Sequence, residues 1–161
     1  MPVEDRDQQR AGYAWTKIND AAAQKFADRY KELVRKFPAY ILTNGLGQAL
    51  AFLVAKGSQT LGDKRSCPNE QKAHGALYLH IQEWLCQEGM AYADAVAGEM
   101  RDPDGGNRDF RLMERIVRQE QGSLSYRQAT METLALLQWF KRFAEAVLPD
   151  DKPFETTGGG Q

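Results

Sequence analysis

Apolar residues in this chain recur at steps of three and four, and almost nowhere does apolar alternate with polar at a step of two. Ile18, Ala22, Phe26, Tyr30, Leu33 and Phe37 gather on one side of a helix, whereas a strand would scatter them over both faces. The same period returns in Leu77, Ile81, Trp84 and Leu85, in Phe110, Met113, Ile116 and Val117, and in Leu136, Trp139, Phe140, Phe143 and Val147. Glycine, proline and asparagine collect between these runs, where the backbone must turn. The breaks predict a helix from Asp5 to Phe37 stopped by Pro38, with a weak point at Asn19 and Asp20, whose side chains compete for backbone hydrogen bonds. A second helix runs from Pro38 to Lys56 and ends at Gly57, and a third from about Asn69 to Gly89. Tyr92, Val96 and Met100 space a short fourth, and a fifth ends at Gly122. The last runs from Ser125 to about Leu148, and Ser125 with Gln128 has the spacing of a capping box. The expected fold is all-α, a compact bundle of five to six helices.

The second helix carries Ile41, Leu42, Leu46, Leu50, Phe52, Leu53 and Val54 around nearly its whole circumference, which predicts a central place. With 161 residues, the chain has material for one core, and a single domain is expected over 1–149. The closing DDKPFETTGGGQ, residues 150–161, is polar and glycine-rich and is expected to be a disordered tail. The densest apolar stretch, Leu46 to Ala55, is too short to span a bilayer, and MPVEDRDQQR lacks an apolar signal core, so a cytoplasmic protein is expected. Cys67 and Cys86 are read as reduced and structural.

Motifs for catalysis or metal binding do not assemble. His74 and His80 are six residues apart and so face different ways on a helix, and neither HExxH nor paired CxxC is present. The loop Asp102 to Asn107 departs from a calcium loop, with Asn107 at the glycine position and Met113 where a glutamate should close it. Gly45 and Gly47 lack the third glycine and the preceding strand of a dinucleotide site, and are read as permitting a kink or the close approach of another helix. No catalytic residue, metal or cofactor is expected.

Surface stripes remain. On the last helix Arg127, Gln138, Lys141, Arg142 and Glu145 share one side, opposite Leu136, Phe140 and Val147, and Lys141 with Glu145 reads as a surface pair. Arg108, Arg111, Arg115 and Arg118 form a basic ridge on the fifth helix, a local positive field hidden by a net charge of −1. Such ridges are either phosphate contacts or simply solvated faces. Asn44 and Gln48 offer amides either to a partner or to buried backbone groups. Glu132 falls on the apolar side of its helix and is expected to form a structural ion pair or cap.

Three blocks, YAWTKI (Tyr13 to Ile18), LTNGLGQALAFLVAKG (Leu42 to Gly57) and YRQATMETLALLQWFKRFAEAVL (Tyr126 to Leu148), resemble the small subunit of the type III-B CRISPR effector, the Cmr complex. The likeness runs from about Tyr13 to Leu148, and between Ser58 and Gly122 it carries little beyond LYLHIQEWL. The arginine ridge matches no family motif and stays a local inference. The resemblance implies a helical bundle without catalytic activity, stacked in several copies beside the backbone subunits along the paired guide and target RNA. Base pairing then reads sequence, the protein reads backbone and shape, and cleavage belongs to the backbone subunit. Lys17, Asn44, Gln48, Lys56, Arg127, Lys141 and Arg142 are the contacts it implies, towards the guide RNA–target RNA duplex or other Cmr subunits, with no membrane partner. The reading from a different class is an all-helical protein–protein adaptor that touches no nucleic acid.

Overall fold

A computed structural model describes residues 5–57, 68–95, 109–118 and 122–150. Among them are six helices and no strand: α1 (Arg6–Ala22), α2 (Ala27–Asn44), α3 (Leu46–Gly57), α4 (Asn69–Leu85), α5 (Arg111–Arg118) and α6 (Gly122–Val147). The all-α expectation holds. The long α6 packs on α1 and α2, α4 packs on α2 and α3, and α2 touches α1, α3, α4 and α6. Ile18, Tyr30, Phe37, Leu50, Leu77, Ile81 and Phe140 are fully enclosed at the centre.

Several boundaries differ from the sequence reading, and α4 ends at Leu85 rather than near Gly89. The expected helix Asp5 to Phe37 is two helices, broken at residues 23–26, just beyond Asn19 and Asp20. Tight turns close the break, with the Gln24 N–H donating to the Ala21 carbonyl at 3.0 Å and the Ala27 N–H to the Gln24 carbonyl at 3.2 Å. This reversal lets Ile18 and Tyr30 enter one core from different helices. Pro38 stops nothing. It lies inside α2, where the missing N–H costs the Val34 carbonyl its helical donor, yet burial of Phe37 and Ile41 on either side carries the helix on to Asn44. The true break is at Gly45, whose φ of 85° belongs to the left-handed region. The central helix is therefore α2, while α3 leaves Gln48, Ala51 and Ala55 exposed.

Toward the end of the chain, Tyr92 is buried but sits in a turn after α4, its N–H donating to the Leu85 carbonyl at 3.1 Å. Val96, Met100, the Asp102 to Asn107 loop, Cys67 and the tail from 151 onward lie outside the described residues. Because α6 starts at Gly122, Ser125 is an interior residue and forms no capping box.

Polar bonds pin the helices at chosen points. Glu132 accepts a fork from Arg10, Nε to Oε1 and Nη2 to Oε2, both at 2.8 Å, and Oε1 also accepts the Trp84 indole N–H at 3.0 Å. The ion pair expected for Glu132 thus joins α1, α4 and α6. Burial raises its carboxyl pKa, but the bonds from Arg10 and Trp84 outweigh burial and hold it below the ordinary value. Gln82 of α4 docks α5: its Oε1 accepts the Leu112 N–H at 3.1 Å, its Nε2 donates to the Asp109 carbonyl at 3.1 Å, and the Tyr78 hydroxyl accepts the Met113 N–H at 3.2 Å. These side chains satisfy N–H groups that a helix start leaves without partners. At the other end of α6, buried Lys31 donates to the Leu148 carbonyl at 3.1 Å and pairs with Asp150 at 2.8 Å.

Where α3 meets α4, two glycines face each other. A Cβ added to Gly57 would lie 2.7 Å from the backbone nitrogen of Gly75, closer than atoms can approach. His80 is half-buried beside Tyr30, sharing a 2.6 Å hydrogen bond through Nδ1, and lies edge-on to Phe140. Burial, and then the nearby Lys17 charge, pull its pKa from 6.5 to about 4, against the opposing pull of Glu83 and Asp20.

Glu132→Ala leaves the Arg10 guanidinium and the Trp84 N–H short of their acceptor, and chemical denaturation is expected to register a loss of about 1–3 kcal/mol. Gly57→Ala forces α3 away from α4 and is expected to cost about 1–3 kcal/mol, the usual penalty of overpacking. Below pH 6.5 the unfolded chain protonates His80 while the folded chain resists until about pH 4. Stability is therefore expected to fall as pH drops through that window, and His80→Asn to flatten the slope, as thermal melts across pH will register.

Candidate nucleic-acid and partner interface

The residues singled out by sequence separate into three groups. Lys17, Arg111 and Arg115 are held by carboxylates. Lys17, half-buried on α1, pairs with Glu83 at 2.8 Å and lies over the Tyr13 ring at 5.4 Å. Arg111 forks onto Asp109, with Nε 2.9 Å from Oδ1, and this guanidinium holds the Asp109 carboxyl below its ordinary pKa. Arg115 pairs with Asp94. Each of these cations fastens its helix to a neighbouring segment or orders a helix start, so its charge is partly neutralised inside the molecule.

Arg118, Arg127 and Arg142 are exposed, and Lys141 is half-buried beside them on the sequence. Arg127, Gln138, Lys141 and Arg142 keep the shared side that the helical period assigns them, because α6 runs unbroken from Gly122 to Val147. Glu145, on the same side, faces Arg35 at 3.7 Å rather than serving as the fixed partner of Lys141. Arg142 adds to the field that lowers the Asp7 carboxyl, after the hydrogen bond from Trp139 and the contribution of Arg10. Lys56 is exposed at the end of α3, its ammonium 5.8 Å from the Phe52 ring centre. Arg108 lies outside the described residues.

The third group meets in a groove of about 660 Å³ between α3, α5 and the start of α6. Asn44 and Gln48 stand on one wall, Arg115, Ile116 and Val117 on the other, and Ser123 and Tyr126 close the end. Asn44 bends back to donate to the Tyr40 carbonyl at 3.2 Å, and Gln48 is exposed. Sequence reasoning missed Tyr126. Its hydroxyl accepts the Gly47 N–H at 2.8 Å and sits 3.4 Å from where a Cβ of Gly45 or Gly47 would be. Those glycines admit another helix, as their spacing suggested, and the guest is the first aromatic of the YRQATMETL block. A second groove, of about 520 Å³, is walled by Tyr40, Phe52 and His74 and contains none of the expected contacts.

Among the described residues, no three histidine, cysteine, aspartate or glutamate side chains are placed to hold a metal ion. Cys86 is half-buried, and burial pushes its thiol up to about 11, so it stays protonated at neutral pH. Among the same residues no helix is long and apolar enough to cross a membrane. What this geometry offers a partner is its outside: a cationic helix face and an amide-lined groove.

A family model described as CRISPR-associated protein (Cas_Cmr5) matches residues 6–147. A curated relative, the CRISPR system Cmr subunit Cmr5 of Thermus thermophilus, is 28% identical over 148 residues, spanning 92% of this chain and 100% of the relative. The crystal structure of a CRISPR-associated Cmr5 family protein from the same organism is similar at a TM-score of 0.62 and 29% identity, over 91% of this chain and 100% of that one. The family match encloses the opening and central sequence blocks and all but the last residue of the closing one, and the chain belongs to the Cmr5 family of CRISPR-associated proteins.

Proposed function

We propose that this chain is a non-catalytic small subunit of a type III-B CRISPR effector, the Cmr complex, stacking with backbone subunits and further copies of itself along the guide RNA–target RNA duplex in antiviral defence. It works in the cytoplasm. The observation that carries the reading is the family match over residues 6–147. The outward side of α6 supplies the chemistry, since Arg127, Lys141 and Arg142 offer guanidinium and ammonium groups to phosphate oxygens without disturbing the core. Arg118 and Lys56 extend the exposed cations, while Asn44 and Gln48 offer uncharged hydrogen bonds at the groove. Lys17, Arg111 and Arg115, already tied to Glu83, Asp109 and Asp94, serve first to order the fold. A net charge of −1 suits a protein that holds RNA as one wall of an assembly rather than alone.

The test is target-RNA binding by the complex assembled with its other subunits and guide. Replacing Arg127, Lys141 and Arg142 together by glutamate is expected to leave the melting temperature unchanged and weaken target retention. The slope of log affinity against log salt should fall by roughly 2, at about 0.7–0.9 for each phosphate that is no longer neutralised. Unchanged retention and slope would remove this surface from the RNA path.

A further inference from the structure

We infer that the groove walled by Tyr40, Phe52 and His74 is a binding site for an unpaired nucleotide whose base carries an amino group. The site stands apart from the cationic face of α6 and does not rest on the role proposed for that face.

The groove measures about 520 Å³, with α2 as one wall, α4 as the other and Phe52 of α3 between them. Phe52 lies against the Tyr40 ring at 4.9 Å and meets the His74 ring edge-on at 5.4 Å. The bed is therefore aromatic, and it is left partly open, since Tyr40 and Phe52 are only half-buried. Aromatic side chains set in an open groove are what a nucleic-acid base stacks upon.

His74 determines what the ligand must bring. It is 6% exposed, and its Nδ1 lies 2.6 Å from the Glu70 carbonyl oxygen. A carbonyl can only accept, so in the neutral ring Nδ1 carries the proton and Nε2 is a lone pair. Among the described residues no donor meets Nε2, and none of them bonds the Tyr40 hydroxyl. Both side chains border the groove. A buried acceptor without a donor is costly, and a ligand N–H relieves it. Glu70, one turn before His74, adds a carboxylate acceptor to the same wall.

The wall made by α2 has the opposite sign. Arg29 and Lys36 line it, and Glu32 beside them is shared between Lys36 at 2.7 Å and Arg35 at 3.4 Å, so cations outnumber the carboxylate. The Lys36 side chain is 72% exposed, and an ion pair in water is given up at little cost. Acceptors on one wall, aromatic rings between and cations on the other match an amino group, a base and a phosphate, in that order. An aromatic side chain of a peptide would cover the rings and leave the cations of α2 unanswered.

The test is an NMR titration of the full chain, read at its two histidine ring signals. With adenosine 5′-monophosphate the His74 signal is expected to shift to saturation, while that of His80, packed against Tyr30 and Phe140, stays in place. Purine riboside 5′-monophosphate, which lacks only the amino group, is expected to bind about threefold to tenfold more weakly, the worth of one hydrogen bond. Tyr40→Phe should melt like the wild type and lose affinity for adenosine 5′-monophosphate by a similar factor. Lys36→Gln should weaken adenosine 5′-monophosphate and leave adenosine unchanged. Single-stranded pentaadenylate that binds more tightly than the mononucleotide assigns the site to an RNA strand; no gain assigns it to a free nucleotide. An unmoved His74 signal would overturn the assignment, as would an equal shift with ribose 5-phosphate or N-acetyltryptophan amide. Full affinity without the amino group, or undiminished binding by both variants, would do the same.

Discussion

The fork from Arg10 onto Glu132, shared with the Trp84 indole, is the fixed point to which the outer surfaces are referred. Apolar packing alone lets helices slide and rotate with little penalty, because many side-chain arrangements fill a core almost equally well. Two parallel charge-assisted bonds and an indole N–H have one geometry. They set how α1 is turned against α6, and hence that Gly12 and Trp15 face outward while Ala14 and Ile18 face in. Tyr13 reinforces the setting: its hydroxyl donates to the His80 carbonyl at 2.5 Å, and its ring lies 4.9 Å from Trp84.

The same economy governs the cations. Of those that sequence placed opposite the core, the ones facing a neighbouring segment are bonded to carboxylates, and those on the open side of α6 are not fixed in this way among the described residues. A bonded cation orders structure at the expense of its reach; an exposed one keeps its reach but adds little to stability. Both kinds occur on α5, where Arg111 and Arg115 hold the helix against Asp109 and Asp94 and Arg118 stands at the open end. Gln82, which supplies bonds to Asp109 and Leu112, places this short helix as the wall of the groove.

Period and punctuation made the helical bundle legible, and they also put Arg127, Lys141 and Arg142 together, because a straight helix keeps its wheel. Glu132 was legible as an anomaly, since a carboxylate on an apolar face demands a partner; Arg10 was not, being 122 residues away along the chain. Distance in sequence likewise hid Asp94 from Arg115 and Tyr126 from Gly47. Pro38 misled for a different reason. The local cost of a proline in a helix is real, but burial of Phe37 and Ile41 on the same helix exceeds it, and tertiary packing sets the boundary at Gly45 instead.

Among the described residues His74, His80 and Glu132 are bonded into the fold, which supports the proposal that the chain acts through its exterior. The most direct measurement of that claim is hydroxyl-radical footprinting of the chain alone and within the assembled complex bound to guide and target RNA, read by mass spectrometry at individual side chains. Met131, exposed in the single chain on the same side of α6 as Arg127 and Arg142, is predicted to lose most of its reactivity on assembly, while Trp84, 2% exposed, stays unreactive throughout. Undiminished oxidation of Met131 in the complete complex, or newly exposed Trp84 there, would contradict it.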